Sequence, residues 1–237
     1  MSTTATDWPA QLRLPGQAAA PAGPVDMQMM YVMHHAFRRD LRRFADAVRR
    51  TPLDDRPTWR LLHGRWELFA EVLHKHHSGE DAGLWPWLRE RVGQDDQATL
   101  AAMEAEHEEI DPLLESCAAG FARLAEAADE DARAALAVRV VAARDSLARH
   151  LEHEEKDAIT LIQALMTVED WHALEAEFFQ EKLPLRYLSQ LVPWAVHDVP
   201  REALGRVFAE AGRGFWVLWV LTRGRFARRE RRAFAHV

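Results

Sequence analysis

The chain has 237 residues, 48% of them hydrophobic and 28% charged, which is enough to bury a core in one domain with appendages. A formal charge of -7 argues against a nucleic-acid-binding protein, whose surface would carry an excess of Lys and Arg. A single cysteine, Cys117, leaves no intrachain disulfide and no thiolate set for structural zinc or an iron–sulfur cluster.

Residues 1–26 are rich in Ala, Pro, Thr and Gly without apolar periodicity and read as a flexible leader. No secretory signal pattern opens the chain and no apolar run approaches the ~18 residues of a membrane span, so the expected compartment is the cytoplasm. From Met27 to Arg50, Met30, Phe37, Leu41, Phe44 and Val48 recur at spacings of three, four and seven, one face of a helix. Pro52 and Pro57 close it. A second helix from near Thr58 to Gly93 carries Leu62, Trp66, Phe69, Leu73, Leu84 and Trp87, with Pro86 as a kink point near its end. A third, 96–124, repeats the pattern with Leu100, Met103, Ile110, Leu114, Cys117 and Phe121. A fourth, 130–166, does so with Val140, Ala143, Leu147, Leu161 and Leu165. Four long amphipathic helices with short polar connections predict an all-α, up-down-up-down four-helix bundle over 27–167. Residues 168–237 form a C-terminal helical extension: a fifth helix over 168–183, then material broken by Pro184, Pro193 and Pro200. In it, Phe215 to Leu221 form an apolar run flanked by Arg213, Arg223, Arg225, Arg228 and Arg229. The run is too short to span a bilayer, and docking on the bundle is preferred over membrane contact.

The chemistry lies in the polar residues on the four stripes. His34 falls between Met30 and Phe37, His76 and Glu80 between Leu73 and Leu84, His107 between Met103 and Ile110, and His150 and Glu154 between Leu147 and Ala158. Each would point into the interior, where an unpaired carboxylate or imidazolium costs several kcal/mol unless a partner or metal offsets it. Residues four apart on a helix stack within about 5–6 Å, so His76/Glu80 and His150/Glu154 can each present a nitrogen and an oxygen together. A lone His followed by His-x-x-x-Glu occurs twice, which suggests a pseudo-twofold site with one half around each of two ions. Mixed nitrogen and oxygen ligands in a helical bundle suit iron or manganese, with zinc the poorer fit for a paired site.

The segments 34–41, 76–81, 106–111 and 150–155 resemble the hemerythrin/HHE cation-binding family, a likeness that covers about residues 27–166. That resemblance implies a non-haem diiron centre with bridging carboxylates, binding dioxygen, peroxide or nitric oxide at an open iron position beside a bridging oxo or hydroxo group. The oxygen-carrying members put a His-x-x-x-His pair on the third helix, whereas here the position four after His107 is Asp111. Asp111 or Glu108 is then a candidate weak ligand, and a more carboxylate-rich pair favours oxidation chemistry over simple carriage.

Two registers stay open. His35 adjoins His34 but falls with Arg38, Arg39 and Arg42, so His34 is preferred. His77/Asp81 has the spacing of His76/Glu80, and likeness to His150/Glu154 favours the latter. His74 and His153 lie off the stripe centres as outer or surface groups. Asp81, Glu108 and Glu155 are candidates to accept an imidazole N–H. Phe37, Trp66, Phe69 and Trp85 either shield the site or form core. The leading function is small-ligand sensing, storage or reduction. The alternative is a diiron oxygenase or oxidase whose extension covers a pocket for a small organic substrate.

Overall fold

The structure is a computed structural model that describes residues 8–179 and 182–237. Helix α1 (Gln28–Arg50) carries the first apolar stripe into the core, where Phe37, Leu41, Phe44 and Val48 are fully buried. Helix α2 (Arg56–Gly79) starts where the Asp55 carboxylate accepts the Thr58 N–H at 3.2 Å and Pro57 supplies a preset φ. It does not end at Gly79 but runs through a π-helical turn, Glu80–Leu84, into α3 (Trp85–Arg89). Helix α4 (Gln97–Glu126) returns. Helix α5 (Glu130–His153), capped by Asp129, passes through a second π turn, Glu154–Ala158, into α6 (Ile159–Leu165).

In space α1 packs on α5 and α2, α2 on α4, and α4 on α5, which closes the ring of an up-down-up-down bundle. No strand occurs among the described residues. One half of the interior is aromatic: Phe44, Trp66, Phe69 and Phe121 lie with ring centroids 5.0 to 5.9 Å apart. Each such buried ring contributes ~1.5–3 kcal/mol. Trp66 and Phe69 therefore belong to the core, whereas Phe37 and Trp85 abut site imidazoles, His76 at 5.3 Å and His107 at 6.5 Å.

Two expectations change. Of the leader expected over 1–26, residues 1–7 lie outside the described residues, and in 8–26 Leu12, Leu14 and Val25 are buried. Gln11, Gln17 and Gln163 satisfy the extended backbone, with Gln163 both accepting from and donating to Val25. Side-chain amides stand where regular structure would, which leaves no periodicity to read. The C-terminal run docks as expected only in part, through Leu218 and Trp219. After α7 (Val168–Leu174) and a third π turn, Glu175–Phe179, the chain forms α8 (Leu185–Ala195), α9 (Arg201–Ala211) and α10 (Arg213–Ala233). Pro184 and Pro200 sit at the N-caps of α8 and α9, where a missing N–H costs nothing. The far end of α10 docks through Glu230, Ala233 and Phe234, but Phe215, Trp216, Val217 and Leu221 stay exposed. No helix among the described residues is long and apolar enough to cross a membrane.

The third π turn lies against the first. A Cβ on Gly79 would come within 2.6 Å of the Phe179 ring, and one on Gly83 would collide with Phe178. Both glycines are therefore required by close approach, and the start of the extension is pressed onto the segment that carries Glu80.

Candidate metal centre

The two π turns begin at Glu80 and Glu154, the two carboxylates singled out in the sequence. A π turn widens the helix and brings neighbouring residues to one face, and such turns concentrate at functional sites. Thus Glu154 and Glu155 are both fully buried, and His76 and His77 just before the first turn are both buried.

The structure brings His34, His76, Glu80, His107, His150 and Glu154 together and adds His77. Their ligand atoms fall into three overlapping sets within 4.8 Å: His34, His76 and Glu154; His77, His107 and His150; Glu80, His150 and Glu154. The carboxylates cross between the halves. One Glu80 oxygen is 3.2 Å from His76 Nε2 and the other 3.5 Å from His107 Nε2. Glu154 Oε2 lies 3.1 Å from His34 Nε2 and 3.9 Å from His150 Nε2. The pairing expected from the repeat, each histidine pair with its own glutamate, is therefore interleaved.

His77 resolves the register question differently from the sequence. It does not compete with His76: both point inward, and the His77 ring stacks on His107 at 3.8 Å between centroids and 8° between planes. The third imidazole near His107 comes from α2, while Glu108 on α4 is exposed and Asp111 is half-buried outside the three sets. His35 is buried against the N-terminal segment, its Nδ1 3.4 Å from the Pro15 carbonyl, and takes no part. His74 is exposed.

An outer layer fixes the ring orientations. His34 Nδ1 donates to Glu155 at 2.9 Å, His107 Nδ1 to Asp81 at 2.8 Å and His150 Nδ1 to Glu106 at 2.8 Å, so in each ring it is Nε2 that faces the cluster. Arg38 holds Glu155 through both Nη atoms, and Ala18 N–H adds a third donor at 2.7 Å. Glu106 also accepts from His153. Asp81 and Glu155 fill the anticipated role, Glu108 does not, and Glu106 went unforeseen because only the α4–α5 packing brings it to His150.

The electrostatics are those of a site short of positive charge. Burial opposes ionisation of Glu154, yet His34 holds it well below the usual carboxylate range, while burial and Glu154 drive Glu80 well above it. Burial disfavours a charged His34, but Glu154 and Glu155 outweigh it and raise the group to about 9. Burial and the neighbouring His34 push His76 down to about 3, and burial with His107 pushes His77 well below its ordinary value. Two carboxylates in a dry core thus share protons that a cation would displace.

The fit to a metal rests on atoms without partners. His34 Nε2, His76 Nε2, both nitrogens of His77 and all four carboxylate oxygens of Glu80 and Glu154 are buried without a hydrogen bond. Such groups are normally satisfied. His107 Nε2 and His150 Nε2, each left bare by its Nδ1 bond, face one another at 3.1 Å. Two lone pairs cannot bond each other, but adjacent ligands at about 2.1 Å from one ion lie at such a separation. A family model, the hemerythrin HHE cation binding domain, matches residues 25–162, the stretch that holds the whole cluster. No curated protein and no solved structure matches the chain.

Proposed function

The chain belongs to the hemerythrin HHE cation-binding domain family, and on that premise we propose that it is a non-haem diiron protein that binds dioxygen, peroxide or nitric oxide and reduces or senses the bound ligand. The observation that carries this reading is the set of buried, partnerless nitrogens and oxygens converging from four helices. Their types, imidazole and carboxylate, suit iron better than calcium or magnesium. His34 and His76 would hold one ion, His77, His107 and His150 the other, and Glu80 and Glu154 would lie between them. Iron, when bound, supplies electrons and an open position for the small ligand.

The chain's own part is to orient and to keep dry. Asp81, Glu106 and Glu155 each hold a proton on an imidazole Nδ1, which keeps the ring turned and its Nε2 basic. Phe37 and Trp85 exclude water from one flank, and the extension covers Glu80 from outside through Phe178 and Phe179. Asp81 and Glu106 are partly exposed, 39% and 29% at the side chain, so protons can reach His107 and His150 from solvent. That access supports reduction or sensing over reversible carriage, which needs a site without proton supply. Two surface clefts, of about 470 and 390 Å3, are lined by none of the cluster residues.

The test is stopped-flow absorption of the reduced, iron-loaded protein mixed with dioxygen or nitric oxide. A new band with dioxygen that vacuum does not reverse is the expected result. A band that vacuum removes makes the protein a carrier, and no reaction with either gas contradicts the proposal.

A further inference from the structure

Residues 215–221 read Phe-Trp-Val-Leu-Trp-Val-Leu, a run that a fully docked helix would turn inward. In α10, Trp219, Phe226, Glu230 and Ala233 face the protein. Val217, Leu221, Gly224 and Arg228, at spacings of four, three and four, form the opposite, exposed stripe. Leu221 is 75% exposed, and Phe215, Trp216 and Val217 between 41% and 49%. Isolated apolar residues on a surface are ordinary, but four large ones within seven positions mark a contact face.

The charge around that face says what it contacts. Seven arginines and one glutamate fall between 213 and 232 in a chain whose formal charge is -7. The glutamate, Glu230, is buried and paired with Arg43. Among the described residues the exposed Arg213, Arg223, Arg225 and Arg228 meet no carboxylate in an ion pair, and Arg223 lies over the Trp219 ring at 4.6 Å. Beside them a cleft of about 390 Å3 is lined by Arg201 and Arg223, by Asp198 and His197, and by apolar groups that include Leu204 and Trp219.

We infer that α10 docks this protein on the surface of an anionic phospholipid bilayer, with Phe215, Trp216, Val217 and Leu221 entering the headgroup boundary and Arg213, Arg223, Arg225 and Arg228 meeting the anionic headgroups. Aromatic rings beside arginines suit an interface that is apolar below and anionic above. The helix lies on the membrane, since it is too polar to cross one. A second copy is the poorer occupant, because a twofold contact would set one cationic stripe against the other.

Sedimentation of the full chain with vesicles tests this, phosphatidylcholine alone against phosphatidylcholine containing phosphatidylglycerol. At low salt the protein should pellet with the anionic vesicles and stay in solution with the neutral ones. Arg213→Gln and Arg225→Gln should each weaken partition about fivefold. Trp216→Ser with Leu221→Ser should leave most of the protein in solution, with circular dichroism and iron content unchanged. Equal recovery from both vesicles, or undiminished binding of the doubly substituted chain, overturns the inference. So does light scattering that finds a dimer which the same double substitution dissolves, since the face would then join two copies.

Discussion

The protein buries two polar clusters of similar depth, and only one of them is closed. Around Asp40, Arg39 donates through Nε and Nη2 at 2.9 and 2.8 Å, Arg65 through Nη2 at 3.0 Å and Trp194 through its indole N–H at 2.8 Å. Arg43 and Arg65 engage Glu230, and Arg39 reaches the His197 carbonyl. Arg65 Nε and Nη1 have no acceptor, but the guanidinium lies over the rings of Trp194 and Phe226. Each carboxylate there is met by guanidinium groups of the same chain, and the network ties α8 and α10 to the bundle. Around Glu80 and Glu154 the same burial surrounds carboxylate oxygens and imidazole nitrogens without hydrogen-bond partners, with no arginine within the cluster. The difference teaches that burial does not mark a ligand site. An unmet need for positive charge does.

The contrast can be broken from either side. Replacing both Glu80 and Glu154 by alanine should reduce iron from about two per chain to near none, because each carboxylate faces both halves; metal analysis that finds full occupancy would equate the two clusters. On the closed side, Asp40→Asn should cost about 3–5 kcal/mol by leaving buried guanidinium groups short of an acceptor charge. Denaturant unfolding reads that loss, and iron per folded chain should not change.

Subtler changes sharpen the division. His77→Ala should cost more iron affinity than Asp81→Asn or Glu106→Gln, each of which should weaken binding about 10–100-fold by freeing an imidazole. Chelator competition ranks the three, and an unaffected His77→Ala would return the site to the six residues of the repeat. The effect of pH separates the clusters again. Burial raises the Asp40 pKa, but Arg65 and Arg39 outweigh it, so the folded value lies below the ordinary 3.8. The ionised group therefore stabilises the fold above that range, and the contribution is lost as pH falls through its folded pKa. Glu230, raised by burial, opposes it in part. The stability gap between the chain and its Asp40→Asn variant should close on acidification; a gap that widens would be contrary. Smallest of all, His35→Ala should leave iron content unchanged.

How much of this was legible follows from helical phase. Residues such as His34, Phe37 and Leu41 lie on an unbroken α-helix, so spacing placed them correctly. The fold class and the inward placing of the six stripe residues are readable for that reason. At His76 and His77 the reading assumed one continuous α-helical period, and the π turn that follows admits a second inward histidine that the period excludes. The same widening buries Glu155 beside Glu154, where it accepts from His34 as its place in the sequence suggests. Residues 8–26 escaped because glutamine side chains, not a ladder, hold them. Glu106 needed the α4–α5 contact, which no local pattern states.

Crystals of the iron-loaded protein, with anomalous diffraction collected at the iron edge, address the central claim most directly. The account predicts two peaks about 3.5–4 Å apart, with Glu80 and Glu154 lying between them, His34 and His76 on one and His77, His107 and His150 on the other. A single peak, or two peaks without His77 at either, would contradict it.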